Sequence, residues 1–230
     1  MYKFFSNASA VELPAHRLVF FAAPKVASSS IKKMLFEIHF GKPYRERNPD
    51  GSKYKIHADF SRTRRFLEIP QDKYKGWTKI TLLRDPVERV ISAYANRVID
   101  LKILSHKHVD PELMRTLGLR LDPDISYFMK NIDKYRVLSR PIWHHTNTFT
   151  EFLGHDLGYF DHVFKFDELD RLVGFISAHT GMNAVLPAST NHSKTRKSLA
   201  DMELEARQSL LTYCAGDYAL LKAYYAPPTL

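Results

Sequence analysis

The sequence is poor in cysteine, with a single residue, Cys214, in 230. That excludes an internal disulfide and any metal site built from cysteines. Cys214 lies in the helical-looking "LLTYCAGDYALL" and is expected to be a small, buried apolar side chain, which suits a reducing compartment. Long apolar runs are also missing. The most apolar stretch, "LVFFAA", falls far short of the roughly 20 residues that cross a bilayer. The start, "MYKFFSNASAVELPAH", lacks the extended apolar core of a signal peptide. A soluble, cytoplasmic chain with no membrane span is expected. Repeats and low-complexity segments are absent as well.

What is present is a globular composition, 44% apolar and 26% charged, long enough to bury a core. One domain over residues 1–230 is expected. Lysine and arginine outnumber aspartate and glutamate by 34 to 25, a net charge of +9. Such a balance suits anionic partners, namely nucleotides, sulfated or carboxylated glycans, nucleic acid or an anionic membrane surface. A solvated basic surface accounts for it equally.

Two segments share one pattern. "RLVFFAA" reads as a buried strand, followed by "PKVASSS" and a helix to about His39, with Ser29 or Ser30 as N-cap and Ile31, Met34, Leu35 and Ile38 on one face. "WTKITLLRDP" repeats it: a strand, a short loop, and a helix opened by Pro86 with Val87, Val90, Ile91, Tyr94, Val98 and Leu101 as its stripe. "HVFKF" is a third strand, feeding a helix capped by Asp167 and stopped by Gly181. "KIHADFSRTRRFLEIP" reads as a short helix ended by Pro70, and "DISYFMKNI" and "NTFTEFLG" as further short helices. Residues 105–123 are weakly patterned and expected to be exposed, within a helical insertion over about 100–145. A long C-terminal helix follows, with a possible break at Gly216. Strands alternating with helices indicate an α/β fold, here a P-loop-like three-layer α/β/α domain with a short central parallel sheet. Ligands of such sheets bind beyond the carboxyl ends of the strands, where both loops fall.

The first loop has the parts of a phosphate site: backbone N–H groups at a helix start, three serine hydroxyls and the charge of Lys25. It lacks the glycines and the Lys-Ser/Thr end of the G-x-x-x-x-G-K-[ST] pattern, which disfavours a nucleoside triphosphatase or nucleotide kinase. A plain strand–helix connection with serine caps remains the alternative. In the second loop Arg84 and Ser92 can reach another phosphate. Asp85 either orients Arg84 or caps the helix, and Glu88 with Arg89 reads as a surface ion pair.

"PKVASSSIK" resembles the 5′-phosphosulfate loop of sulfotransferases that use 3′-phosphoadenosine 5′-phosphosulfate (PAPS), and "LLRDPVERVISAY" is similar to their 3′-phosphate motif. The match is closest to the Golgi-type carbohydrate sulfotransferases, including the heparan and chondroitin branches. "KIHADFSRTRR" looks like the segment carrying the catalytic histidine of uronyl 2-O-sulfotransferases, "FDHVFKFDELDRL" like the family's late strand and helix, and "NHSKTRKS" like its loop closing over the nucleotide. Residues 100–145 match no part of the family's pattern.

The resemblance implies roles. Lys25 contacts the oxygen bridging sulfate and 5′-phosphate. Val26, Ala27, Ser28, Ser29 and Ser30 cradle the 5′-phosphate. Arg84 and Ser92 bind the 3′-phosphate, and Lys194, Thr195 and Arg196 close over the nucleotide. His57 is the base for the acceptor hydroxyl. PAPS is the co-substrate and no metal is expected. The acceptor is a carbohydrate or glycolipid hydroxyl, and nucleic acid is not a partner. Lys53, Lys55, Arg62, Arg64 and Arg65 around His57 suit an anionic acceptor, or form a solvated basic face. Glu37 and Glu46 read as surface charges. His144 and His145, adjacent rather than a helical turn apart, read as acceptor-groove or surface residues rather than metal ligands. An atypical P-loop kinase and a non-catalytic binder of anionic glycan or nucleic acid are the alternatives.

Overall fold

The computed structural model describes residues 10–48, 50–187 and 195–230. By internal contacts these divide into two compact units, one from Met1–Arg84 and Phe149–Asn191, the other from Asp85–Thr148 and His192–Leu230.

The first unit is built on a four-stranded sheet in the order β1-β2-β3-β4, comprising β1 (Val11–Leu13), β2 (Leu18–Phe21), β3 (Thr78–Leu83) and β4 (His162–Lys165). β2, β3 and β4 are parallel, with Phe21 opposite Thr81 and Leu83 opposite Lys165. All four residues of β2 are buried, as expected of a parallel strand covered on both faces. The edge strand β1 was not expected. It pairs antiparallel with β2, Val11 opposite Phe20, after a 3₁₀ turn whose exit residue Arg17 is left-handed (φ 47°). The Tyr74 hydroxyl accepts from the Ala10 N–H at 3.1 Å and donates to Glu12 at 2.6 Å, tying this edge down.

Helix α1 (Ser28–Phe40) follows β2 and packs on β1. It starts before the expected serine N-cap. Left-handed Ala27 (φ 58°) is its cap, and the Ala27 carbonyl accepts from the N–H groups of Ser30 and Ile31. The serines therefore fill the first turn instead of preceding it. The segment after it holds a π-type turn at Ile56–Phe60 and a 3₁₀ turn at Phe66–Glu68 where one short helix was expected. Phe21 packs edge-on against Tyr74, Tyr159 and Phe160, with ring centroids 5.3–5.6 Å apart, and the Phe66 ring lies 6.0 Å away. Close by, Gly154 is left-handed (φ 77°), and a Cβ there would stand 2.7 Å from the Phe66 ring.

In the second unit α2 (Pro86–Tyr94) is capped by Asp85, whose carboxylate accepts from the Glu88 N–H at 3.0 Å. Of the two readings of Asp85, the cap holds. The helix continues as a π-type segment, Ala95–Asp100. Then come α3 (Pro111–Thr116), α4 (Ile125–Lys130), α5 (Ile132–Leu138) and α6 (Arg140–Thr146). The first unit resumes with α7 (Phe149–Leu153) and, after β4, α8 (Leu169–Thr180). The second closes with α9 (Leu204–Leu220), which runs unbroken through Gly216. The expected Asp167 cap of α8 is not formed; a 3₁₀ turn precedes it, in which the Glu168 carboxylate accepts from the Lys165 N–H at 2.8 Å.

The core of the second unit joins Val87, Val90, Ile91 and Tyr94 of α2 to Phe128, Tyr135, Leu210 and Cys214. Met114 and Leu119 belong to it, so residues 105–123 are not wholly exposed. Cys214 is buried, as expected, and burial pushes its thiol pKa well up. Arg89 is not in a surface ion pair. It is fully buried, and its guanidinium pairs with buried Asp217 at 3.2 Å and donates to the Asn147 carbonyl. Its place on the inner face of α2, one turn before the core residue Ala93, removes it from water.

Deleting one partner of a buried ion pair strands the other charge, at about 3–5 kcal/mol. Asp217→Ala should cost about that much in a urea titration, and the double change Arg89→Met, Asp217→Leu should cost clearly less. Equal losses would mean that the pair carries no charge-specific stability.

Candidate active site

Three parallel strands in register bring three chain ends to one edge of the first unit: Phe21 into residues 22–27, Leu83 into Arg84, and Lys165 into Phe166. The loop without glycine still needs left-handed backbone. Lys25 (φ 68°) and Ala27 (φ 58°) supply it, each in a region that L-residues enter at a cost of about 1–2 kcal/mol. Tertiary contacts hold the turn. An Arg84 guanidinium N–H donates to the Lys25 carbonyl at 3.2 Å, and the same guanidinium lies 4.7 Å over the Phe166 ring. The Thr81 hydroxyl donates to the Phe21 carbonyl at 2.9 Å. Lys25, Ser29 and Ser30 are half-buried at the mouth of this turn, while Val26 and Ser28 are buried.

The Ser29 hydroxyl and His57 Nε2 are 2.7 Å apart, so α1 and the Ile56–Phe60 turn meet at the sequence-selected histidine. His57 itself is exposed. Behind it lies a residue that sequence reasoning missed. Lys32 is fully buried, and its ammonium donates to the Ser61 carbonyl at 2.8 Å and the Thr63 hydroxyl at 3.0 Å, with His57 Nδ1 at 3.4 Å. Burial pulls its pKa from the ordinary lysine value of 10.5 down to about 7. Lys32 sits one turn after Ser28 and one before Phe36, both buried, but lysine at a stripe edge reads as solvent-facing; the pairing was not legible. Nor was that of Glu46, which meets Lys33 at 3.5 Å, or of Glu37, which accepts from the Tyr44 N–H at 3.0 Å.

Other sequence-selected residues lie in the second unit. Ser92 is half-buried on α2. The Thr195 hydroxyl donates to Asp100 at 3.1 Å, and Arg196 is exposed. Lys194 lies outside the described residues. His145 is half-buried with both ring nitrogens engaged, Nδ1 with the Pro141 carbonyl at 2.8 Å and Nε2 with Arg97, which leaves no lone pair for a metal. In the first unit Lys53, Lys55 and Arg62 are exposed, and Arg64 and Arg65 half-buried, with Arg65 paired to Glu151 at 3.4 Å. Among the described residues no helix is long and apolar enough to cross a membrane.

Because Lys32 loses its proton more easily folded than unfolded, the unfolded chain binds more protons between about pH 7 and 10.5. Stability therefore rises with pH across that window. Relative to Lys32→Met, the wild-type unfolding free energy should climb from pH 7 to 10; a constant difference would show that Lys32 keeps an ordinary pKa.

A model of the Sulfotransferase family matches residues 10–225. A solved structure, that of a sulfotransferase from Alicyclobacillus acidocaldarius, is 18% identical over 89% of this chain and 93% of that one, with a TM-score of 0.42. No curated protein sequence matches the chain. The family match spans both strand–loop–helix motifs and nearly all the sequence around them, and decides between sulfuryl transfer and the kinase and binder readings: this chain belongs to the Sulfotransferase family.

Proposed function

We propose that the protein transfers the sulfuryl group of PAPS to a hydroxyl of a carbohydrate or glycolipid, by in-line displacement with His57 as general base. The observation that carries this reading is the 2.7 Å contact between Ser29 and His57, which joins the anion-binding turn to a group able to take a proton. The donor set suits a phosphosulfate. It consists of N–H groups at the start of a 13-residue helix, the hydroxyls of Ser28, Ser29 and Ser30, and the charge of Lys25. PAPS supplies an activated sulfuryl group on a phosphate leaving group.

Lys25 stabilises the negative charge that grows on the leaving oxygen, a task for which a preplaced cation costs no reorganisation. Val26 and Ala27 shape the turn that points its N–H groups at the 5′-phosphate. Arg84 and Ser92 bind the 3′-phosphate. Arg84 combines this with its bond to the Lys25 carbonyl, since a guanidinium has five donors. Thr195 and Arg196 are the further nucleotide-contacting residues that the family resemblance implies. His57 takes the acceptor proton at Nε2 once the acceptor replaces Ser29 as its partner. The exposed cations Lys53, Lys55 and Arg62 favour an acceptor that is itself anionic, such as a uronate-bearing glycan.

In calorimetry the product nucleotide 3′-phosphoadenosine 5′-phosphate should bind at least about tenfold more tightly than AMP, one added charge-assisted contact being worth about 1.5–3 kcal/mol. Equal affinities would remove Arg84 and Ser92 from this role. His57→Ala should lower kcat by about 10²–10⁴-fold while nucleotide affinity persists; a near-normal rate would mean another base. Lys25→Ala should cost about 10²–10³-fold in kcat with the fold intact, and an unchanged kcat would take Lys25 off the bridging oxygen.

A further inference from the structure

We propose that Lys32 is a positioning residue that selects the tautomer of His57 and receives, through the imidazole, the proton that His57 takes from the acceptor. The inference rests on the reading of His57 as base. It arises from the three contacts of the buried Lys32 amine and from the two sides of the imidazole, one meeting Ser29 and the other Lys32.

A charged Lys32 has three N–H donors for three partners, the Ser61 carbonyl, the Thr63 hydroxyl and His57 Nδ1. Nδ1 must then accept. The ring carries its proton on Nε2, which donates to Ser29 and is closed to any further proton. A neutral Lys32 has two donors, which satisfy Ser61 and Thr63, and a lone pair directed at Nδ1. The ring then carries its proton on Nδ1, and Nε2 is open as a base. The amine thus does for this histidine what a carboxylate does in a hydrolase triad, holding Nδ1–H and leaving Nε2 to the chemistry.

The proton balance closes. The acceptor O–H bond breaks and an N–H bond forms at Nε2, while the electron pair stays on the acceptor oxygen, the nucleophile. The Nδ1–H bond breaks and an N–H bond forms at Nζ. The end state is a charged Lys32 beside a neutral imidazole protonated at Nε2; loss of the Nε2 proton to solvent from the exposed ring, with the ammonium proton returning to Nδ1, restores the starting state.

The surroundings of Lys32 allow both states. From α1, the neighbouring Lys33 is turned to Glu46 and lies 5.0 Å over the Tyr44 ring. From the Ile56–Phe60 turn, Asp59 accepts from the Lys55 N–H at 2.6 Å, and His57 is the titratable partner. From residues 61–65 come the Ser61 carbonyl and Thr63 hydroxyl, with Arg62 exposed, Arg64 half-buried and Arg65 paired to Glu68 and Glu151. Burial is the cause of the lowered Lys32 pKa, which brings the change of state to about pH 7.

The test reads the ring directly, without turnover. Full-length protein labelled with ¹⁵N-histidine and saturated with 3′-phosphoadenosine 5′-phosphate is followed by long-range ¹H–¹⁵N correlation from pH 6 to 9, with the His57 signals assigned by their loss in His57→Gln. The wild-type ring should pass from the Nε2–H to the Nδ1–H tautomer with a midpoint near pH 7. In Lys32→Arg, which keeps charge and donors but cannot go neutral, the ring should stay Nε2–H throughout, and kcat should fall about 10²-fold or more with nucleotide affinity kept. A wild-type ring that keeps one tautomer across the range overturns the proposal, as does the same swap in Lys32→Arg; should that variant not fold, the wild-type titration still decides. A His57→Ala enzyme of normal rate would instead remove the base assignment, a failure that leaves the tautomer swap observable and so is told apart from this one.

Discussion

Parallel pairing of β2, β3 and β4 is the constraint on which the first unit depends. Parallel strands share a carboxyl edge, and the register Phe21–Thr81 and Leu83–Lys165 sends residues 22–27, Arg84 and Phe166 off the same side. The Arg84 guanidinium can therefore brace the Lys25 carbonyl while resting on the Phe166 ring. Neither contact links neighbours in sequence, and neither could form if one strand ran the other way.

That brace explains how an anion loop manages without glycine. Left-handed backbone at Lys25 and Ala27 is unfavourable for L-residues and persists because the surroundings hold it. The arrangement has a benefit that glycine would not bring: the left-handed position at the turn itself carries a charged side chain. The same helix that starts at this turn buries an ammonium one turn later, where a carbonyl, a hydroxyl and an imidazole replace its water. Such a group is costly to bury charged, and its environment moves it towards neutrality.

The three parallel strands, the Pro86 helix with its stripe as far as Val98, and the α/β alternation were legible because each is written in local periodicity; Leu101, expected to end the stripe, is exposed. Two features were misread for one shared reason, that a charged or polar residue reads as solvent-facing until its partner is known. Arg89 was assigned to the surface because Asp217 is remote in sequence, yet the two are buried together. Glu37, half-buried, accepts from the Tyr44 N–H, whereas Glu46 meets Lys33 and is exposed, as expected. The edge strand β1 has only three residues, too few for a periodic signal, and exists because β2 offers it an open edge.

The amino-acid sequence by itself determined the class of fold and the family, since hydrophobic period and the spacing of Pro24, Lys25, the serines, Arg84 and Ser92 are properties of the chain alone. Only the tertiary structure decided which polar side chains leave water and what they meet there. Ser29 meets His57, and Lys32 meets His57, Ser61 and Thr63, because α1 packs against a turn some 25 to 30 residues further along. Burial and hydrogen-bond partnership are pairwise quantities across the fold, and they convert an ordinary lysine into one that titrates near neutral pH.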